Sequence, residues 1–184
     1  MIKLKNAQEL AKIRDASSIL SETLDRLMEL VVEGISTAEL DDFCRDYIRK
    51  RGAEPAFLGY LNYPASLCVS INEEVIHGIP GKRRLKSGDI VGLDLGINLG
   101  GYFSDAAITV PVGTVSEARQ RLLKVARECL ELGIAQAVAG NRISQISQAI
   151  QDHARKHSFE VVRQYLSLIH ISEPTRLLSI SYAV

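Results

Sequence analysis

The 184-residue chain carries 22 basic and 22 acidic side chains, and its net charge of zero gives no electrostatic case for binding DNA or RNA. Its three cysteines, Cys44, Cys68 and Cys129, are widely spaced, which excludes a disulfide framework and a cysteine zinc site. No apolar run has the length of a signal-peptide core or a membrane span, so we expect a cytoplasmic chain with no membrane partner.

Two helices are predicted at the N-terminus, followed by a short strand. Apolar residues recur at helical spacing over about residues 6–33, and Gly34 ends that pattern. The sequence Ser36-Thr-Ala-Glu39 is a capping box, which predicts a second helix that stops at Gly52. A short strand is expected around residues 55–58.

A further strand is predicted at residues 66–71, and residues 90–110 are typical of a β-hairpin. Alternation in its first strand places Val91, Leu93, Leu95 and Ile97 on one face and Ile90, Gly92, Asp94 and Gly96 on the other. The turn is expected within Asn98-Leu-Gly-Gly101, where glycines tolerate positive φ.

The length of that turn decides how Asp94 and Asp105 are related. A loop of residues 99–100 or of residues 98–101 would place the two aspartates directly opposite each other, with Cβ atoms about 4.5–5.5 Å apart. A loop of three or five residues would put them on opposite faces. Opposed carboxylates share a proton or bind a cation, and Gly92 and Gly96 beside Asp94 would leave room for one. The pattern therefore favours a metal site.

The second half of the chain repeats the element order of the first. Thr114-Val-Ser-Glu117 is expected to cap a third helix that ends near Gly140, and residues 143–156 and 159–165 predict a fourth helix and a strand. Asp152-His-Ala-Arg-Lys156 echoes Asp46-Tyr-Ile-Arg-Lys50. Together these features suggest an internal duplication.

Several other candidate residues have two possible interpretations when each is considered alone. His77, in the tight loop His77-Gly-Ile-Pro80, is either a hydrogen-bonded structural histidine or a group that binds metal or substrate. Tyr60, Tyr63 and Cys68 either line a pocket or belong to the core and surface. His153 and His157 are four residues apart on a helix, but no glutamate lies between them in an H-E-x-x-H pattern, so we expect surface histidines.

Taken in series, these motifs resemble the type I methionine aminopeptidases, which are metal-dependent hydrolases. The matching stretches are residues 57–64, 68–73, 77–80 and 85–89, followed by Asp94 and Asp105. The resemblance extends to Tyr165. It implies an α+β pita-bread fold, of which residues 1–165 would form the N-terminal two-thirds as a partial catalytic domain.

The resemblance also implies a role for each matched residue. Asp94 would chelate one metal ion and Asp105 would bridge two, while His77 would contact the substrate and steady the tetrahedral intermediate. The methionine pocket would be formed by Phe57, Tyr60, Tyr63 and Cys68. The two divalent ions would be Co, Mn, Fe, Zn or Ni. The implied reaction removes the N-terminal methionine of nascent peptides by metal-activated water, in a monomer, with the ribosome as a further partner of the parent enzyme.

The sequence departs from the family after Tyr165, where a glycine-histidine motif and two metal-binding glutamates are expected. Residues 166–184 instead include His170 and Glu173 in unrelated surroundings, and part of this stretch resembles translated sequencing-adapter sequence. We therefore expect an artefactual tail that is foreign to the family. The 184-residue chain would then bind its metals poorly and be inactive or nearly so.

Two alternatives share the implied fold. One is a proline-directed peptidase, which would need a different pocket from the one that Tyr60, Tyr63 and Cys68 suggest. The other is a non-catalytic pita-bread binding protein that has lost the metal, although Asp94, Asp105 and His77 argue against a long-standing loss.

Overall fold

The computed structural model describes residues 4–162, which form two compact units that divide between Val115 and Ser116. The element order is α1 (Ala7–Leu30), α2 (Thr37–Lys50), β1 (Glu54–Pro55), β2 (Leu67–Ile71), β3 (Ile90–Leu99), β4 (Tyr102–Pro111), α3 (Glu117–Gln136) and α4 (Ile143–Lys156), with one 3-10 turn at Tyr60–Asn62. Within the described part, no helix combines the length and apolarity that a membrane crossing requires. The predicted tail, residues 166–184, lies outside the described residues.

Both N-terminal helices begin at capping boxes. The Asn6 side chain accepts a hydrogen bond from the Glu9 amide, and the Glu9 carboxylate accepts one from the Asn6 amide. Ser36 and Glu39 form the same reciprocal pair at the start of α2, as predicted. α1 ends at Leu30 rather than near residue 33, and Gly34 follows in a left-handed conformation with φ of 91°.

The sheet of the first unit is antiparallel and has β3 at its centre. β4 pairs with the whole of one edge of β3, while β1 and β2 share the other edge. The predicted alternation is confirmed, because one face of β3 packs into the core with α1 and α2. The fully buried β3 residues on that face are Val91, Leu93, Leu95 and Ile97.

The register of the hairpin differs from the prediction. Its turn is Gly100–Gly101 alone, with φ of 58° and 85°, so both glycines occupy the positive φ that a two-residue type I′ turn requires. The Asn98 side chain accepts a hydrogen bond from the Gly101 amide and fixes this turn. Asp94 consequently lies opposite Ala107, and Asp105 lies opposite Gly96. The two aspartates are diagonal neighbours on one face rather than a directly opposed pair.

The second unit is built on α3 and α4. Ser116, not Thr114, caps α3, because its hydroxyl accepts the hydrogen bond from the Arg119 amide. α4 has the predicted bounds. Residues 159–162 do not form the predicted strand, and residues 163–165 lie outside the described part. The buried residues between the two helices are Val125, Cys129, Ile150 and Ala154.

The suspected duplication is supported by the backbone of the two helix pairs. Helix α2 (Thr37–Lys50) and helix α4 (Ile143–Lys156) have the same length. The difference in residue number between them also separates Gly34 from Gly140, whose φ values are 91° and 94°. It also relates two hydrogen bonds that close the helix ends, Ala53 N to Ile48 O and Phe159 N to Ala154 O. Caps and closing turns are therefore repeated in register.

Candidate active site

The outer face of the sheet collects the polar residues that the sequence singled out. Strand pairing aligns Cys68 of β2 with Asp94 of β3, and Asp105 of β4 with Gly96 of β3. Side chains of directly paired residues point to the same face of a sheet, so Cys68, Asp94 and Asp105 share the face opposite the core. Rigid, paired strands therefore hold all three.

Asp94 and Asp105 interact despite their diagonal placement. Burial raises the pKa of Asp94 to about 7, and the negative charge of Asp105 and a hydrogen bond from Asp94 to Asp105 act in the same direction. Burial also raises the pKa of Asp105, although the hydrogen bond that it accepts opposes this. The two carboxyl groups thus lie close enough for the charge of Asp105 to oppose ionisation of Asp94.

This pair fits a divalent cation. Among residues 4–162, no lysine, arginine or histidine forms an ion pair with either aspartate. Two neighbouring carboxylates without a cationic partner repel each other when both are ionised, and a divalent ion removes that cost by neutralising both. Carboxylate oxygens also suit Mn²⁺ and similar ions. The described residues supply no histidine or glutamate as a third ligand here, because the one cluster of three metal-ligating groups lies elsewhere.

Phe57 lies against this face at Gly96. A Cβ atom built on Gly96 would lie 2.7 Å from Cε1 of Phe57 and 3.1 Å from Cβ of Ala56. The Ala56 amide also donates a hydrogen bond of 2.8 Å to the Gly96 carbonyl. The expectation that Gly96 leaves room for a metal is therefore wrong, because the ring of Phe57 occupies that room. The Phe57 side chain instead lines the sheet face beside Asp105.

Cys68 is paired with Asp94 across β2 and β3, and Tyr63 lies beside Cys68; both groups favour their protonated forms. Burial raises the pKa of Cys68 to about 11, with further increases from Asp94 and Asp105 against a hydrogen bond with Tyr63 that lowers it. Burial raises the pKa of Tyr63 as well. The Tyr63 hydroxyl lies 3.2 Å from Leu67 O and 3.0 Å from Gly78 O, so it links β2 to the loop after it. A neutral thiol and phenol suit a pocket wall better than a metal ligand.

Gly78 brings the His77 loop onto β2. A Cβ on Gly78 would lie 2.1 Å from the Val69 carbonyl oxygen, so only glycine permits this approach. The Val69 amide donates to Gly78 O at 2.9 Å, and the Gly78 amide donates to Ser70 Oγ at 3.2 Å. His77 itself is exposed and has φ of 58°, a strained conformation for a residue other than glycine. The loop thus carries an imidazole to the edge strand that holds Cys68.

Tyr60 is the predicted pocket residue with the weakest structural support. It lies in the 3-10 turn and is 54% exposed. The turn is closed by hydrogen bonds from Tyr60 N to Phe57 O and from Tyr63 N to Tyr60 O, both 2.9 Å long. Tyr60 is therefore connected to two pocket residues through the backbone, and its role as a wall stays a prediction.

One positioning residue escaped the sequence interpretation. Asp41 of α2 is 5% exposed, and its Oδ1 accepts hydrogen bonds from the amides of Ser66 at 2.7 Å and Leu67 at 2.9 Å. Arg45 pairs with its other oxygen. Asp41 thus fixes the start of β2, the strand of Cys68. The residues around Asp41 in the sequence do not distinguish it from any other aspartate of a helix, so no local pattern predicts this role.

His153 and His157, expected as surface histidines, have an acidic neighbour on the facing helix. Both side chains are half-buried, and His153 Nε2 lies 2.8 Å from Oε2 of Glu128. Together with Glu128 they form the cluster of three metal-ligating groups noted above. The third member comes from α3, so no H-E-x-x-H pattern could have indicated it.

Comparison with known proteins agrees with the geometry of the first unit. The chain matches metallopeptidase family M24 over residues 11–171. It is 45% identical over 166 residues to methionine aminopeptidase 1 of Bacillus subtilis, a match that covers 90% of this chain and 67% of that protein. The chain therefore spans about two-thirds of the length of this curated relative.

Solved structures support the same assignment. Methionine aminopeptidase from Rickettsia prowazekii matches with a TM-score of 0.89 and 35% identity, covering 100% of this chain and 75% of that one. Prolidase from Pyrococcus furiosus matches with a TM-score of 0.76 over 84% of this chain and 44% of its own, but its 21% identity shows the fold alone. The predicted α+β pita-bread fold is thus confirmed, and the chain belongs to metallopeptidase family M24, a family of metal-dependent hydrolases.

Proposed function

We propose that the reaction to which this chain belongs, and which the 184-residue chain itself would perform only weakly, is removal of the initiator methionine from nascent chains by hydrolysis of the first peptide bond. The observation that carries the proposal is the carboxylate pair Asp94 and Asp105, which has no cationic partner among residues 4–162, on a face walled by Phe57, Tyr63 and Cys68. The similarity to methionine aminopeptidases supports the same reaction. The prolidase likeness, at 21% identity, gives no reason to prefer a proline-directed peptidase.

In this proposal each residue has a distinct task. Asp94 and Asp105 hold divalent ions, which when bound supply Lewis acidity and an activated water. His77 donates a hydrogen bond to the substrate from its exposed loop. The apolar walls exclude water from the methionine side chain, and the protonated thiol of Cys68 adds no charge to that surface.

The proposal also covers the identity of the metal ion and of the partners. Co, Mn, Fe, Zn and Ni are all compatible with carboxylate ligands, and the pair alone does not select among them. We propose a cytoplasmic monomer whose substrate is the N-terminal methionine of peptides emerging from the ribosome. Residues 1–165 would form its catalytic part, and a segment foreign to the family would lie within residues 166–184.

We further propose that the 184-residue chain has little activity, because its described residues offer two carboxylate ligands and no histidine or glutamate beside them. Such a pair does not fix the coordination geometry on which an activated water depends. The expected result is release of methionine from a Met-Ala peptide at a rate at least about a hundredfold below that of a full-length methionine aminopeptidase, in Mn²⁺ or Co²⁺. The measurement is a coupled assay for free methionine.

Two comparisons make that assay decisive. An Xaa-Pro peptide assayed in parallel should show no greater turnover than Met-Ala, and preferential cleavage of Xaa-Pro would favour the proline-directed alternative. Turnover of Met-Ala at the rate of a full-length enzyme would overturn the proposal of low activity. Peptide binding that is equally tight with and without metal would favour the non-catalytic binding protein.

A further inference from the structure

The second unit contains a cluster of metal-ligating side chains that the proposed peptidase chemistry does not use. Glu128 lies on α3, and His153 and His157 lie one turn apart at the C-terminal end of α4. One ligand atom from each of the three residues can be chosen so that all three lie within 4.8 Å of one another. We propose that these three residues bind one divalent transition-metal ion of the zinc class, which joins α3 to α4.

The donor set has the chemistry of a zinc site. Two imidazoles and one carboxylate are a known set of protein ligands for Zn²⁺, with a water molecule in the fourth position. Imidazole favours Zn²⁺, Ni²⁺, Co²⁺ and Cu²⁺ over Mg²⁺ or Ca²⁺, which prefer oxygen ligands. The composition of the cluster therefore favours these ions over Mg²⁺ and Ca²⁺, a preference that the all-carboxylate pair of the first unit does not supply.

The distances require only small movements. Ligand atoms of a tetrahedral zinc site with bonds of about 2.0–2.1 Å lie roughly 3.3 Å apart. Nε2 of His153 and Oε2 of Glu128 are 2.8 Å apart, joined by a hydrogen bond, and would separate slightly. The rings of His153 and His157 have centroids 4.6 Å apart and are tilted by 50°, so neither stacks flat on the other. The ion would replace the hydrogen between His153 and Glu128, with the His153 proton placed on Nδ1.

The surrounding packing holds the backbone of two of the ligands in place. Glu128 precedes buried Cys129, and His153 precedes buried Ala154, so both ligands flank the core between the helices. Cys129 Sγ also contacts the Ile150 carbonyl oxygen at 3.6 Å. Pre-ordered ligands lose little conformational entropy on binding, which favours a site over a chance approach of side chains.

His157 is held by further contacts at the end of α4. It is the C-cap residue of that helix, and its carbonyl oxygen accepts a hydrogen bond from the guanidinium of Arg121. The same guanidinium lies over the ring of Phe159, 5.4 Å from the ring centroid. The backbone of the third ligand is thus tied to α3.

Glu128 is available as an ionised ligand. The hydrogen bond with His153 is the main cause that lowers its pKa, and Lys124 contributes in the same direction. Nζ of Lys124 lies 3.9 Å from Oε1 of Glu128, while the His153 contact uses Oε2. Lys124 is therefore the cation that competes with a metal for this carboxylate.

The test uses the 184-residue chain carrying Asp94→Asn and Asp105→Asn, so that the first unit contributes no carboxylate site. Zn²⁺ is titrated against a chromophoric chelator, and Co²⁺ binding is followed by its visible absorption spectrum. We expect one Zn²⁺ per chain at micromolar concentration and a Co²⁺ spectrum of low coordination number. His153→Gln, His157→Gln and Glu128→Gln should each weaken Zn²⁺ binding by about tenfold or more.

Two matched variants separate a metal site from a structural contact. His77→Gln removes a histidine of the first unit and should leave Zn²⁺ affinity unchanged. Lys124→Gln removes the competing cation and should tighten Zn²⁺ binding several-fold, a gain that a purely structural ion pair would not give. Circular dichroism checks that each variant keeps its helices. Unchanged Zn²⁺ affinity in both His153→Gln and His157→Gln, or no Zn²⁺ bound at micromolar concentration, would overturn the proposal.

Discussion

Replacing Gly78 by alanine is expected to displace the loop that carries His77 from the edge of the sheet. The new Cβ would lie 2.1 Å from the Val69 carbonyl oxygen and 2.8 Å from its carbon, and both atoms belong to the backbone of β2. β2 is held by its pairing with β3 over Leu67–Ile71, so we expect the loop rather than the strand to move. The hydrogen bond from the Val69 amide to Gly78 O would be lost as well.

The expected cost of Gly78→Ala is about 3 kcal/mol, which combines overpacking with one lost buried hydrogen bond. Urea denaturation followed by circular dichroism measures the free energy of unfolding, and hydrogen exchange at the Val69 amide reports the loop directly. Gly81→Ala is the matched control, because a Cβ there meets nothing within 4 Å. It should change the stability by less than about 0.5 kcal/mol. Equal stabilities for the two variants would contradict this role of Gly78.

Replacing Asp94 by asparagine is expected to stabilise the metal-free chain at pH 8. Burial and the neighbouring Asp105 raise the pKa of Asp94 to about 7, from an ordinary value of 3.8. An ionised Asp94 therefore destabilises the folded chain, and asparagine removes that charge while keeping the shape. Each pKa unit corresponds to about 1.4 kcal/mol, and after allowance for partial solvent access we expect a gain of about 2–3 kcal/mol.

The pH dependence of that gain follows from linkage. The folded chain holds the Asp94 proton more tightly than the unfolded chain, so its stability falls as the pH rises from about 4 to about 7. The Asp94→Asn variant should lack this contribution. Its free energy of unfolding should exceed that of the unmodified chain only slightly at pH 4 and by the full amount at pH 8. Thermal unfolding in the presence of a chelator measures both. Asp25→Asn, at an exposed position of α1, is the control and should behave like the unmodified chain at each pH.

The start of α2, the bounds of α4 and the core face of β3 could be predicted because their signals are local. The capping box of Ser36 and Glu39, and the alternation from Val91 to Ile97, depend only on neighbouring residues. The hairpin register could not be predicted. Four residues of turn sequence permitted several loop lengths, and two consecutive glycines at positive φ decided among them.

The candidate site was only partly predictable for the same reason. Asp94 and Asp105 remained on one face, since the observed register differs from the predicted one by an even number of residues. The prediction that the two aspartates lie directly opposite each other was wrong. The prediction of empty space at Gly96 was also wrong, because the Phe57 ring, from a distant part of the chain, fills that space. Asp41 and the partnership of Glu128 with His153 join separate elements, so no local pattern could indicate them.

The central claim is that Asp94 and Asp105 together bind a divalent metal ion. Electron paramagnetic resonance of free Mn²⁺ tests it most directly, in titrations of the unmodified chain and of Asp94→Asn, Asp105→Asn and Glu128→Gln. We expect each aspartate variant to weaken Mn²⁺ binding by at least about tenfold and Glu128→Gln to leave it unchanged. Equal Mn²⁺ affinity in Asp105→Asn and the unmodified chain would contradict the claim.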